Sequence, residues 1–180
     1  MGTPKSFERV RLLLALLSKD PNIADEGGAL RPIIVERFGE PDYCKKGLSF
    51  VWTNYYEAEM GAPLWRSFLS FPVLVDPSLL ADIKTWANSL EERFSSDGKR
   101  GFNLDPGLVG LGSFVLATTK GRAHRIALQD GIFAELTLWY ESGEFRALPW
   151  TYADWQSAEY AAVLKELRER LKKARRSSEE

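Results

Sequence analysis

One cysteine, one histidine and two methionines are all that this chain of 180 residues holds of the side chains most used in redox and soft-metal chemistry. A lone Cys44 excludes an internal disulfide and any zinc site built on paired cysteines. A lone His124 excludes a metal site of the HExxH type. Neither sign of charge is in surplus: 24 basic against 25 acidic side chains leave a formal charge of −1. That balance argues against general nucleic-acid binding, so nucleic acid is not an expected partner. No run reaches the ~20 apolar residues of a membrane span, and no membrane partner is expected. Val10–Leu17 is apolar, but it is interrupted by Arg11 and runs into Ser18-Lys19-Asp20 without a small-residue cleavage site. It reads as a buried strand rather than a signal peptide, and the expected setting is the cytoplasm. The phosphate-loop pattern GxxxxGK[ST], GxGxxG and GxSxG are also missing. These residues name no cofactor and assign no metal, although a Mg²⁺ needs only one or two carboxylates.

What is present fits one soluble domain over residues 1–172, followed by a polar tail over 173–180. A strand is expected at Arg9–Leu17 and a helix at Ala29–Phe38, between Gly27-Gly28 and Gly39. Extended segments follow at Gly47–Thr53 and Trp65–Phe71. Asp76-Pro77 is a helix start, and Leu79, Leu80, Ile83, Ala87, Leu90 and Phe94 then repeat at helical spacing, with Lys84, Asn88, Glu91 and Glu92 opposite. Asp105-Pro106-Gly107 reads as a turn. Ser113–Thr119 is a strand, and Asp130-Gly131 between two apolar runs predicts a hairpin with a two-residue type I′ turn. Glu144–Leu148 adds a further strand, and Ser157 caps a final helix carrying Tyr160, Leu164, Leu167 and Leu171 on one stripe. This order predicts an α+β fold: a mainly antiparallel sheet with helices packed on one face, a two-layer sandwich.

Residues 99–140 crowd ionisable groups into what otherwise reads as core sheet, which is tolerable only where they are paired or face a wet cleft. With a two-residue turn at Asp130-Gly131, residues whose numbers sum to 261 lie opposite one another, so His124 faces Thr137 and Ile126 faces Glu135. His124, Glu135 and Thr137 then share a face, and Arg125 points to the other. One reading is a catalytic pair, His124 as acid or base and Glu135 as its orienter. The other is a polar cluster on a partly exposed sheet. Lys120, Arg100 and Arg125, with Lys99, would supply a rim for an anion, or simply be solvated strand ends. Asn103 and Asp105 join the ligand-binding candidates, although Asp105 also suits a turn. Tyr56 and Glu59, in Asn54–Gly61, form either a ligand wall or the edge of a short helix. Trp150–Trp155 reads as a plug before the last helix, with Asp154 as a turn former.

The segments YYEAEMG (55–61), KRGFNLDPG (99–107), LATTKGRAHRI (116–126), GIFAELTLWY (131–140) and WTYADW (150–155) together resemble the bacterial family of domain of unknown function 4416. The resemblance runs from the first strand to the last helix. It implies no activity, but it emphasises Tyr55, Tyr56, Glu59, Arg66, Asn103, Asp105, Lys120, His124, Arg125, Glu135, Thr137 and Asp154. The resulting expectation is a site for an anionic small molecule, a phosphate ester or nucleotide. The alternative is a non-catalytic protein-contact module, possible as a homodimer given six tryptophans and ten phenylalanines.

Overall fold

Arg11–Ser18 (β1) is buried along its whole length, its six central residues apolar as a strand in the middle of a covered sheet requires. The computed structural model describes residues 2–177. After β1 come α1 (Arg31–Phe38), β2 (Tyr43–Ser49), α2 (Glu57–Met60), β3 (Trp65–Ser70) and α3 (Leu80–Arg93). They are followed by β4 (Phe102–Val109), β5 (Ser113–Thr118), β6 (Arg125–Ala127), β7 (Phe133–Glu141), β8 (Glu144–Ala147) and α4 (Ala158–Arg176). The strands form one antiparallel sheet in the order β2-β3-β1-β4-β5-β7-β6, with β8 also on β7. The α+β class and the antiparallel sheet are those expected.

The layering differs from the expected sandwich. Side chains alternate along β1: Leu12, Leu14 and Leu16 pack with Ile34 of α1 and Ile83, Ala87 and Leu90 of α3. Leu13 and Ala15 pack with Tyr160, Val163, Leu164 and Leu167 of α4. Helices therefore cover both faces, giving three layers. Nearly continuous hydrophobicity in β1 is the sequence mark of a strand buried on two sides.

Helix ends follow their caps. Asp76 Oδ1 accepts from the Ser78 N–H (3.0 Å) at a short 3-10 turn that feeds α3. The Ser157 hydroxyl accepts from the Tyr160 N–H (3.3 Å) at the start of α4. The chain expected as a tail from Lys173 stays helical through Arg176, and Arg175 donates to the Arg9 carbonyl (2.7 Å). Basic side chains in the last turn suit the negative end of the helix. The rest of that segment, residues 178–180, lies outside the described residues.

Two local expectations are overturned. Asp105-Pro106-Gly107 makes no turn; it lies inside β4, opposite Ala15, Leu14 and Leu13 of β1. Gly107 fits there because Phe114 covers it: a Cβ would come within 2.5 Å of that ring. In the second hairpin, Asp130 and Gly131 do adopt positive φ (53° and 74°), and the Ile132 N–H closes the turn on the Gln129 carbonyl (2.9 Å). The ladder then resumes one residue out of step, with the Leu128 N–H on the Ile132 carbonyl. Paired numbers sum to 260, not 261, so Arg125 faces Glu135 and Ile126 faces Ala134. A slip of one residue exchanges the faces.

Candidate functional site

The sheet splits between β4 and β5. Their ladder runs from Val109↔Phe114 to Gly107↔Leu116 and stops. The Gly110 N–H donates to the Ser113 carbonyl. Antiparallel ladders alternate bonded and non-bonded pairs, so counting back in twos sets Pro106 against Ala117 at a bonding position. Pro106 has no N–H to give to the Ala117 carbonyl, and the pairing ends there. Beyond it, α3 replaces β5 as the partner of β4. The Leu104 N–H donates to Glu91 Oε1 (2.7 Å), and the Leu104 carbonyl accepts from Lys84 Nζ (3.0 Å). Backbone groups that lost a strand are thus satisfied by side chains.

A cleft of about 650 Å³ occupies the split. On the β4 side its wall is a chain of ion pairs. Arg100 holds Glu59 through two parallel bonds of 2.7 Å and reaches Glu91 (2.8 Å) and Asn103 Oδ1 (2.9 Å). The Asn103 amide donates to Asp105 (2.6 Å), which also accepts from Lys84 (3.0 Å). Lys84 and Glu91 are each only 5% exposed. Burial raises the Glu91 carboxyl above its ordinary range despite Lys84. Burial pushes Asp105 the same way, but Lys84 and Arg66 outweigh it and hold that carboxyl below its ordinary range. Glu59 is held low by its hydrogen bonds from Arg100.

The floor is Arg66 of β3, 3% exposed, whose contacts are all long: Tyr160 Oη 3.3 Å, Asp154 3.4 Å and the Ala15 carbonyl 3.5 Å. Its guanidinium lies over Phe50, 5.2 Å from the ring centroid. Tyr56 faces the same charges. Burial, with Asp105 nearby, pushes its phenol up to about 12, so it stays a neutral donor.

The opposite wall centres on Glu135, 2% exposed. Its Oε2 accepts from Arg125 Nε (2.6 Å) and contacts His124 Nε2 (3.0 Å). Thr137 Oγ1 lies 3.5 Å from the other oxygen. The His124 ring stacks on Trp150 (4.7 Å, 12°). Arg125 also donates to the Lys120 carbonyl (2.6 Å) and interacts with Tyr152. The segment expected as a plug, Trp150–Trp155, supplies these contacts through Trp150 and Tyr152; Trp155 enters the core on the α4 side, and Asp154 bonds Arg66 rather than serving only a turn. At the mouth stand Trp52, Tyr55 and Tyr152, all exposed, with Lys120 Nζ 4.7 Å over the Tyr55 ring.

Of the candidate residues, Tyr56, Arg100, Asn103, Asp105, Lys120, Arg125 and Glu135 line the cleft. Glu59, His124 and Thr137 stand behind it, each touching a lining residue. Sequence reasoning left Lys84 and Glu91 out of the candidate set, and Arg66 entered it only through the family resemblance. Lys84, Asn88 and Glu91 recur at i, i+4 and i+7, a polar stripe that faces the split. Every carboxylate lining the cleft already has a cation or amide on it. Among the described residues, no group of three His, Cys, Asp or Glu could hold a metal ion.

Comparison with curated proteins finds no match. Comparison with solved structures finds none either. A family model does match, over residues 8–171, which takes in every strand, all of α1–α3 and most of α4. The chain therefore belongs to the family described as Domain of unknown function (DUF4416).

Proposed function

We propose that this chain binds a small anionic molecule, a phosphate ester or nucleotide, in the cleft between β4 and β5. Five cationic side chains line it (Arg66, Lys84, Arg100, Lys120 and Arg125), against four carboxylates (Glu91, Asp105, Glu135 and Asp154). Lys84, Arg100 and Arg125 are each committed to a carboxylate within 3.0 Å. The observation that carries the reading is Lys120. Its ammonium meets no carboxylate among the described residues and rests on the Tyr55 ring at the mouth. A strand-end cation left over beside a wet cleft is a point charge for an incoming anion. Arg66 retains donor capacity beneath it, since its present bonds are long. Should turnover follow binding, Glu135 is the acid–base group in reach of the ligand, and His124 behind it is a positioning residue.

The test is calorimetric titration with pyrophosphate, ribose 5-phosphate and ATP. At least one binds, and Lys120→Ala weakens it about tenfold, the scale of one charged hydrogen bond. No binding by any of them, or an unchanged affinity in the variant, defeats the reading.

A second reading rests on a separate observation. Ile126, Leu136 and Trp139, 70%, 36% and 46% exposed, share the sheet face that α3 leaves uncovered past β5. Such a patch suits a protein contact, a second copy included. Sedimentation of the wild type and of Trp139→Asp decides it: a dimer lost in the variant supports it, and a monomer in both removes the homodimer.

A further inference from the structure

Proline at position 106 leaves more than an opening. Along β5, hydrogen bonding alternates between the two neighbouring strands. The β5–β7 register shifts by one residue between Phe114 and Val115; the Tyr140 N–H on the Gly112 carbonyl, and the pairs Leu116↔Glu135 and Thr118↔Phe133 past that shift, turn Leu116 and Thr118 toward β7. Ser113, Val115 and Ala117 turn toward β4. The Ala117 carbonyl therefore points into the split, where Pro106 offers no N–H. The next inward-pointing group is the Thr119 N–H, because the Thr118 carbonyl faces Phe133 across a trans peptide. Leu104, which would have met Thr119, is taken by Glu91 and Lys84. An acceptor and a donor thus stand side by side on a strand edge without a strand.

We infer that this edge reads a planar heterocycle: a ring whose rim carries a hydrogen-bond donor beside an acceptor, as nucleobases do. The inference rests on the anion-binding reading above and deepens it by naming the ligand's other half. Three observations converge. The edge lines a cleft of about 650 Å³, the size that encloses one small molecule rather than a long peptide. The cleft also has aromatic lining away from the mouth, Phe50 and Trp155, against which a flat ring can pack. Lys120 lies three residues beyond Ala117, past a bend at Thr119 where the Lys120 N–H donates to the Thr118 hydroxyl (3.2 Å), so the cation stands at the mouth and the strand edge lies deeper in the split. Main-chain recognition of this kind supplies specificity without any dedicated side chain, and a ligand missing its rim donor would leave the Ala117 carbonyl unpaired.

The experiment uses the full chain labelled with ¹⁵N. AMP, GMP, CMP, UMP and ribose 5-phosphate are titrated while the amide resonances are followed. The best-binding nucleotide is then compared with its analogue in which methylation removes every hydrogen from the rim donor, two methyl groups on an exocyclic amine or one on a ring N–H. The expected result is a shift of the Thr119 amide with that nucleotide, binding at least about tenfold tighter than ribose 5-phosphate, and a comparable loss on methylation. If ribose 5-phosphate binds as well as every nucleotide, or Thr119 stays still while a nucleotide binds, the edge does not read a ring and only the anion site survives. If none of the five binds and pyrophosphate and ATP also fail, both readings fall.

Discussion

Glu135 shows how much one carboxylate can organise. It is buried, and it ties Arg125 and His124 together from one oxygen. Removing one partner of a buried ion pair leaves the other charge stranded, which costs about 3–5 kcal/mol. Glu135→Ala is therefore expected to lower stability by about 3 kcal/mol, read from the urea midpoint, and to loosen the Lys120 end through Arg125. Asp105 gives a pH prediction. Its folded carboxyl sits below its ordinary value because Lys84 and Arg66 outweigh burial. A group depressed on folding contributes stability above its unfolded pKa of about 3.9, and loses it as pH falls through the folded value. The stability gap between wild type and Asp105→Asn should thus be full at neutral pH and close on acidification below about pH 4. Urea unfolding at pH 7 and pH 3 checks this, and a constant gap refutes it. At this scale the sequence was a partial guide. The His124–Glu135 contact is present, but it was inferred from a register that is one residue off. Arg125 consequently joins the pair from a position assigned to the far face. Lys84 and Glu91 looked like solvent-facing helix charges, because nothing local says that a neighbouring strand will be missing a donor.

At the scale of elements, β4 is the informative one. Asp-Pro-Gly is a turn sequence when read alone, yet here the chain passes straight through it, held by β1 on one side and α3 on the other. Tertiary pairing overrode local preference, and the proline left its mark as a break between strands rather than as a bend. Pro106→Ala restores an amide at position 106 opposite the Ala117 carbonyl. The expected outcome is an added rung worth about 1 kcal/mol, slow hydrogen exchange of the new amide, and weaker ligand binding as the split narrows. Rapid exchange at that amide would show that the strands are held apart by something else. Gly107→Ala tests the adjoining contact. Its Cβ would meet the Phe114 ring, and overpacking of this kind costs about 1–3 kcal/mol. Where a segment carried an uninterrupted pattern, its element was legible: β1, α3 and α4 follow from their apolar spacing and caps.

For the whole molecule, the two larger cores lie on opposite faces of the sheet, and β1 feeds both, Leu12, Leu14 and Leu16 to one and Leu13 and Ala15 to the other. Damage to one core should therefore be felt in the other. Leu14→Ala is expected to cost about 3 kcal/mol and to move two signals together, the Trp155 indole N–H resonance from the α4 side and far-ultraviolet dichroism of the whole chain. Separated transitions would mean that the layers unfold independently. The second layer of helices was not legible because amphipathicity tells which side of a helix is buried, not which face of a sheet receives it. The outer strands are poor templates for sheet growth: β2 is charged and irregular between Lys45 and Leu48, β6 is three residues long and β8 four.

The missing proton at Pro106 has a thermodynamic corollary. A gate made by moving domains must be reset on every encounter, and its opening competes with closing. A gap made by a pyrrolidine ring is permanent, because no change of pH, salt or temperature short of unfolding can supply the absent hydrogen. The cavity is consequently prepaid in the covalent chain, and a guest entering it meets walls already apart.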